Sequence, residues 1–131
     1  MDEEDFKRVL NPAQYRVMRE KGTEEAYSGK YYSHNEHGVY ACTACGSFLF
    51  ASINKFDAKN GWPAFTGPLS KKYVVLTMIP EKPVEVSCKE CACHLGYIQE
   101  KDGKSYFQIN SIALNFHELP EWEKDEGDEE K

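Results

Sequence analysis

A chain of 131 residues, 40% hydrophobic and 29% charged, is sized for one domain with a modest core. Its net charge of −6 comes entirely from residues 118–131, where eight acids meet two bases; the remainder is neutral and lacks the basic face that a nucleic-acid partner needs. No apolar run approaches the roughly 20 residues of a membrane span, and the acidic start Met1-Asp2-Glu3-Glu4-Asp5 is unlike a secretory leader, so we expect no membrane association and a cytoplasmic or nuclear location.

In chain order, residues 1–9 are expected to be a flexible N-terminus. Asn11-Pro12 starts a helix, because asparagine caps and proline at the first helical position gives up no hydrogen bond. Gly22 is a natural stop, which predicts one short helix over 12–20. Residues 23–37 are polar, carry the turn signals Ser28-Gly29 and His34-Asn35, and show no helical period. Val39-Tyr40-Ala41 and Phe48-Leu49-Phe50 read as strands on either side of Cys42-Thr43-Ala44-Cys45, with Gly46 allowing the tight turn between them. Residues 51–72 read as loop. Within them Gly61 and Pro63 set the backbone around Trp62, whose indole reads equally as a core ring with its N–H on a carbonyl. Strands at 73–79 and 84–86 lead into Cys88-Lys89-Glu90-Cys91. Strands at 94–99, 106–109 and 113–116 follow, with 101–104 as a hairpin turn. The prediction is a mostly β domain over 10–117 with a short N-terminal helix. The acidic tail, 118–131, is too poor in apolar residues to fold and is expected to be disordered.

The two Cys-x-x-Cys hooks carry the strongest chemical signal. Four thiolates, Cys42, Cys45, Cys88 and Cys91, fill a tetrahedron and leave no open position, which points to structural zinc rather than a Lewis acid. A thioredoxin-type redox hook would precede a helix in a βαβ unit, and neither hook does. Five cysteines make the count odd. The leftover Cys93 reads as a small buried thiol; on a strand it faces away from His94, so the two neighbours do not form a catalytic couple.

A longer series of motifs adds a resemblance. Leu10 to Tyr15 leads to Gly22-Thr23-Glu24 and Tyr27-Ser28-Gly29-Lys30-Tyr31. Gly38-Val39-Tyr40 precedes the first hook, and Lys55-Phe56-Asp57 and Gly61-Trp62-Pro63 follow it. The second hook is followed by His94-Leu95-Gly96 and by Ile109-Asn110-Ser111 through Phe116. In this order and spacing the chain resembles the methionine-R-sulfoxide reductase B family, the SelR domain. The resemblance implies two antiparallel sheets of the β-tent type around the four-cysteine zinc site. It also implies a chemistry: a thiolate attacks the sulfur of the R epimer of methionine sulfoxide, acid groups protonate the oxygen, and a thiol reduces the resulting sulfenic acid.

Several positions depart from that pattern. The family nucleophile lies two residues before the asparagine of Ile109-Asn110-Ser111, where this chain has Gln108. The preceding arginine position is Tyr106, the second histidine of His-Leu-Gly-His is Tyr97, and the resolving cysteine before Gly-Trp-Pro is Asn60. The segment between Tyr97 and Gln108 is shorter than is usual in the family. The implied pocket is therefore Trp62, His94, Tyr97, Tyr106, Gln108 and Asn110. A glutamine amide cannot attack a sulfoxide. The leading expectation is a catalytically inactive member that binds a small polar ligand or a methionine-sulfoxide-like peptide there. One alternative is a peptide-methionine (R)-S-oxide reductase using Cys93 as a relocated thiol. Another is a structural zinc module for interactions. The sequence names no protein partner.

Overall fold

The structure, a computed structural model, describes residues 1–119. Nine short strands form two antiparallel sheets. β1 (Gly38–Cys42), β2 (Phe48–Ala51) and β9 (Leu114–Glu118) make a three-stranded sheet in the order β2-β1-β9. β3 (Lys55–Phe56), β4 (Ala64–Phe65), β5 (Val74–Thr77), β6 (Glu85–Cys88), β7 (His94–Lys101) and β8 (Lys104–Ile109) make a six-stranded sheet in the order β3-β4-β8-β7-β6-β5. The main core includes Tyr40, Leu49 and Phe50 from the small sheet and Phe65, Val86, Leu95 and Ile109 from the large one. Phe50 stacks on Phe65 with ring centroids 4.5 Å apart, joining the two sheets directly. Among the described residues no helix is long and apolar enough to cross a membrane.

Two helices precede the sheets where one was expected. The predicted helix is α2 (Pro12–Met18), with Asn11 and Gln14 forming a reciprocal capping box. Before it, α1 (Glu3–Val9) occupies the segment expected to be flexible. Asp2 and Asp5 cap it reciprocally, and Glu3, Glu4 and Asp5 place their charge at the positive end of the helix dipole. Phe6 is only 2% exposed and anchors α1 in the core. Arg19 lies 4.1 Å above its ring and pairs with Glu3. The acids that suggested a solvated lead are thus the first turn of a docked helix.

The expected loop over 51–72 also contains structure: β3 and β4 pair with each other, and β4 pairs with β8. Their registers produce one transverse row across all six strands. Phe56, Ala64, Gln108, Tyr97, Glu85 and Thr77 are successive cross-strand partners. Residues opposite one another in register share a face, so this row defines the side of the sheet away from Phe65 and Ile109. A close approach beside it depends on Gly96, where any Cβ would lie 1.9 Å from the Gln108 carbonyl oxygen. Of the expected acidic tail, Glu118 closes β9; residues from 120 onward lie outside those described.

Candidate functional site

The two cysteine hooks fold alike. Gly46 N–H donates to the Cys42 carbonyl and Ala92 N–H to the Cys88 carbonyl, both at 2.8 Å. Cys42 N–H reaches the Ser47 carbonyl at 2.8 Å, and Cys88 N–H reaches the Cys93 carbonyl at 2.9 Å. Each turn closes through a residue with positive φ, Gly46 at 81° and Ala92 at 64°. The result brings four free thiols together: Cys42 and Cys91 are 3.6 Å apart at sulfur, as are Cys45 and Cys88, and all four sulfurs lie within 4.8 Å of one another. Metal–sulfur bonds of about 2.3 Å in a regular tetrahedron give sulfur–sulfur edges of about 3.8 Å. The donor set and its spacing therefore fit a closed tetrahedral metal site.

Cys93 stands apart from that set. In the repeated turn it takes the place of Ser47, supplying a carbonyl, and its side chain is 0% exposed in the main core. The nearest guanidinium nitrogen of Arg19 is 4.0 Å from its sulfur.

Of the expected pocket residues, Tyr97 and Gln108 lie on the transverse row, and the others lie off it. Asn60 is the hub. Its Nδ2 donates to the Tyr106 hydroxyl at 2.8 Å and to Gln108 Oε1 at 3.0 Å, while its Oδ1 accepts from Trp62 N–H at 3.3 Å. Burial raises the Tyr106 phenol above its ordinary pKa, opposed by the hydrogen bond from Asn60. Because Gln108 accepts through Oε1, its Nε2 faces away from Asn60 and donates to nothing among the described residues. Tyr97, beside Gln108 in register, meets the His94 ring edge-on at 5.0 Å.

His94 is 1% exposed, and its Nδ1 lies 2.8 Å from Glu85 Oε2. Lys21 donates to the other carboxylate oxygen of Glu85 at 3.3 Å. A carboxylate accepts, so Nδ1 carries a proton, and the other ring nitrogen is Nε2. That Nε2 is buried and without a hydrogen-bond partner among the described residues. Glu85 is 4% exposed. Its neighbourhood in Val84-Glu85-Val86 reads as a plain alternating strand, and only the paired histidine reveals its role.

A second buried acid orders the far end. Glu24 accepts from Ser111 N–H at 2.8 Å and Ile112 N–H at 2.9 Å, capping the 3-10 turn Ser111–Ala113. Its own N–H donates to Asn110 Oδ1 at 3.0 Å, and Asn110 Nδ2 donates to the Leu95 carbonyl at 3.0 Å. The Glu24 carbonyl receives the Trp62 indole N–H at 3.0 Å, so the ring has a fixed direction and is only partly buried. Burial raises the Glu24 carboxyl pKa, against the two backbone N–H groups that favour its charge. Gly22-Thr23-Glu24 was part of the motif series, but nothing local assigns Glu24 partners so distant in sequence.

Two hollows bear on the expected pocket residues. One, of about 430 Å³, is lined by Phe56, Tyr106 and the Lys101–Lys104 turn. Another, of about 360 Å³, is lined by Glu24, Lys30 and Asn115 among others. Of the expected pocket residues only Tyr106 lines either. Trp62, Tyr97 and Gln108 instead form a shallow, half-buried surface.

Comparison with known proteins agrees with this geometry. The SelR domain family matches residues 10–118. Peptide methionine sulfoxide reductase MsrB of Methanosarcina barkeri is 46% identical over 121 residues, covering 87% of this chain and 84% of its own. The MsrB of Chromohalobacter salexigens is 41% identical, covering 88% and 92%. Methionine-R-sulfoxide reductase B2, mitochondrial, of Danio rerio is 44% identical, covering 86% and 69%. With its two antiparallel sheets, its four-cysteine cluster and these relatives, the chain belongs to the SelR-domain, or MsrB, family.

Proposed function

We propose that this chain binds the methionine-R-sulfoxide side chain of oxidised peptides and holds it without reducing it. The observation that carries this reading is the hydrogen bond between Asn60 and Gln108, 3.0 Å long. These are the two positions that the family resemblance gives to the resolving and attacking thiols. The amide pair has no nucleophilic electron pair to offer sulfur. It does offer the Gln108 Nε2–H donors to a sulfoxide oxygen. Trp62 supplies an apolar wall for the S-methyl group, and the Tyr97 and His94 rings border the same row. Zinc held by Cys42, Cys45, Cys88 and Cys91 would brace the two sheets; with four thiolates bound it has no position for substrate. A reducing compartment, cytosol or nucleus, suits these free thiols.

The printed names of the relatives favour a second reading, a working peptide methionine sulfoxide reductase. With four thiols assigned to the metal, Cys93 is the remaining candidate. Its thiolate would attack the sulfoxide sulfur, oxygen would pass to Cys93 as sulfenic acid, and methionine would leave. A thiol such as dithiothreitol would then return Cys93 to its reduced form. Cys93 at 0% exposure would have to open to solvent first.

One experiment separates these readings. With Trp122→Phe removing the chain's other tryptophan, Trp62 emission is titrated with a capped methionine-R-sulfoxide, and methionine formation is followed in dithiothreitol. We expect a saturable emission change and no product. Product that disappears in Cys93→Ser overturns the binding-only reading. No emission change and no product leaves a structural zinc module.

A further inference from the structure

The hollow of about 430 Å³ beside Tyr106 has a fixed relation to Gln108. Phe56 belongs to the transverse row itself, paired with Ala64, which pairs with Gln108. Tyr106 precedes Gln108 by two residues on β8 and therefore shares its face. The Tyr106 ring meets Phe56 edge-on at 5.5 Å, and its hydroxyl accepts from the same Asn60 amide that holds Gln108. The hollow and the amide pair are thus adjacent stations on one surface, joined through one side chain.

The spacing is that of an extended peptide. Two residues of β-strand span about 6.8 Å, so a ligand strand lying along β8 with its sulfoxide at Gln108 places a side chain two positions away over Tyr106. The volume is at the low end of ligand pockets, which run from about 300 Å³ upward, and holds a single side chain. Its floor is aromatic. At its rim, Asp57 is already engaged by the Tyr32 hydroxyl at 3.1 Å and Lys59 N–H at 2.8 Å, and Lys101 is held by the Ala58 carbonyl at 2.8 Å. The occupant that fits is an aromatic or branched aliphatic side chain.

We infer that this hollow is a subsite for an apolar side chain two residues from the methionine sulfoxide, making the chain a reader of peptide sequence as well as of oxidation. This rests on the sulfoxide-binding reading. The test is calorimetric. A capped pentapeptide with central methionine-R-sulfoxide and glycine elsewhere is compared with versions carrying phenylalanine two positions before or two positions after it. One of the two gains about tenfold in affinity, and phenylalanine immediately next to the sulfoxide gains nothing. Thr66 is exposed at the rim of the hollow, so Thr66→Trp fills it without entering the core and returns the favoured peptide to the affinity of the glycine peptide. Equal binding by all peptides removes the subsite and leaves sulfoxide binding intact. A tenfold gain that survives Thr66→Trp places the contact elsewhere and overturns the proposal. If no sulfoxide peptide binds, the functional reading fails and the subsite with it.

Discussion

The cysteine cluster and the Asn60–Gln108 pair are held by equally specific backbones but present opposite chemistry. At the cluster, two similar turns aim four thiols at one point, with sulfurs no more than 4.8 Å apart. At the transverse row, Gln108 on β8 meets Asn60 from the loop between β3 and β4, and the two amides fix each other through a 3.0 Å hydrogen bond. The cluster gains rigidity only when its groups share an ion. The row is rigid by itself, because Asn60 satisfies Tyr106, Gln108 and Trp62 N–H at once. Sulfur thus gathers where the two sheets meet, and amides where Asn60 reaches the row.

The sharpest way to break this contrast is Cys45→Ser. Apparent binding at such sites is on the order of 10 kcal/mol, comparable to the roughly 5–15 kcal/mol that separates a folded domain from its unfolded chain. We expect zinc stoichiometry to fall towards zero and the near-ultraviolet circular dichroism to be lost at 25 °C. Retained metal and a cooperative melt would show that three thiols suffice. Next in size is Gln108→Cys. If the row differs from its reductase relatives chiefly in lacking a thiol, the variant should reduce methionine-R-sulfoxide with dithiothreitol about 100-fold above the background of the unmodified chain, close to 3 kcal/mol of barrier. No gain would mean that Tyr106 and Tyr97 also disable the site. The smallest effect is expected from Asn60→Ala, which strips the donor from Tyr106 and Gln108. Urea unfolding should show a loss of about 1–2 kcal/mol, and the Tyr106 phenol, no longer stabilised as phenolate by the amide, should titrate still higher.

The cluster was legible in the sequence because its signal is local: two identical spacings, each between strand-like segments. The row was only partly legible. Gln108, Tyr97 and Tyr106 could be placed by resemblance, since the motif around Ile109-Asn110-Ser111 fixes their offset. Their partnership with Asn60 could not, because β3 and β4 are two residues long and carry no periodicity to show that 51–72 crosses the sheet. The partners of Glu24 and Glu85 were hidden for a related reason. An acid in a polar stretch or an alternating strand looks solvated until its partners, Ser111 and Ile112 for one and His94 for the other, arrive from elsewhere in the chain. The N-terminal helix was missed because a capping box made of two aspartates also reads as a charged, frayed end.

The position of β1 has a consequence for biosynthesis. Its neighbour β2 follows after one turn, but its other neighbour is β9, which pairs Leu114 with Cys42. A chain emerging N-terminus first presents the β1–β2 hairpin with two cysteines and with the edge of β1 that β9 will cover still open. At about 5–20 residues per second, the stretch from Cys45 to Leu114 takes roughly 3–14 s to synthesise. Throughout that interval the edge of β1 is free to pair with another chain, and the first hook has only half its ligands until Cys91 is made. The newborn chain is most vulnerable during those seconds: metal bound once Cys91 is made can join the two hooks, but the edge of β1 stays open until β9 arrives.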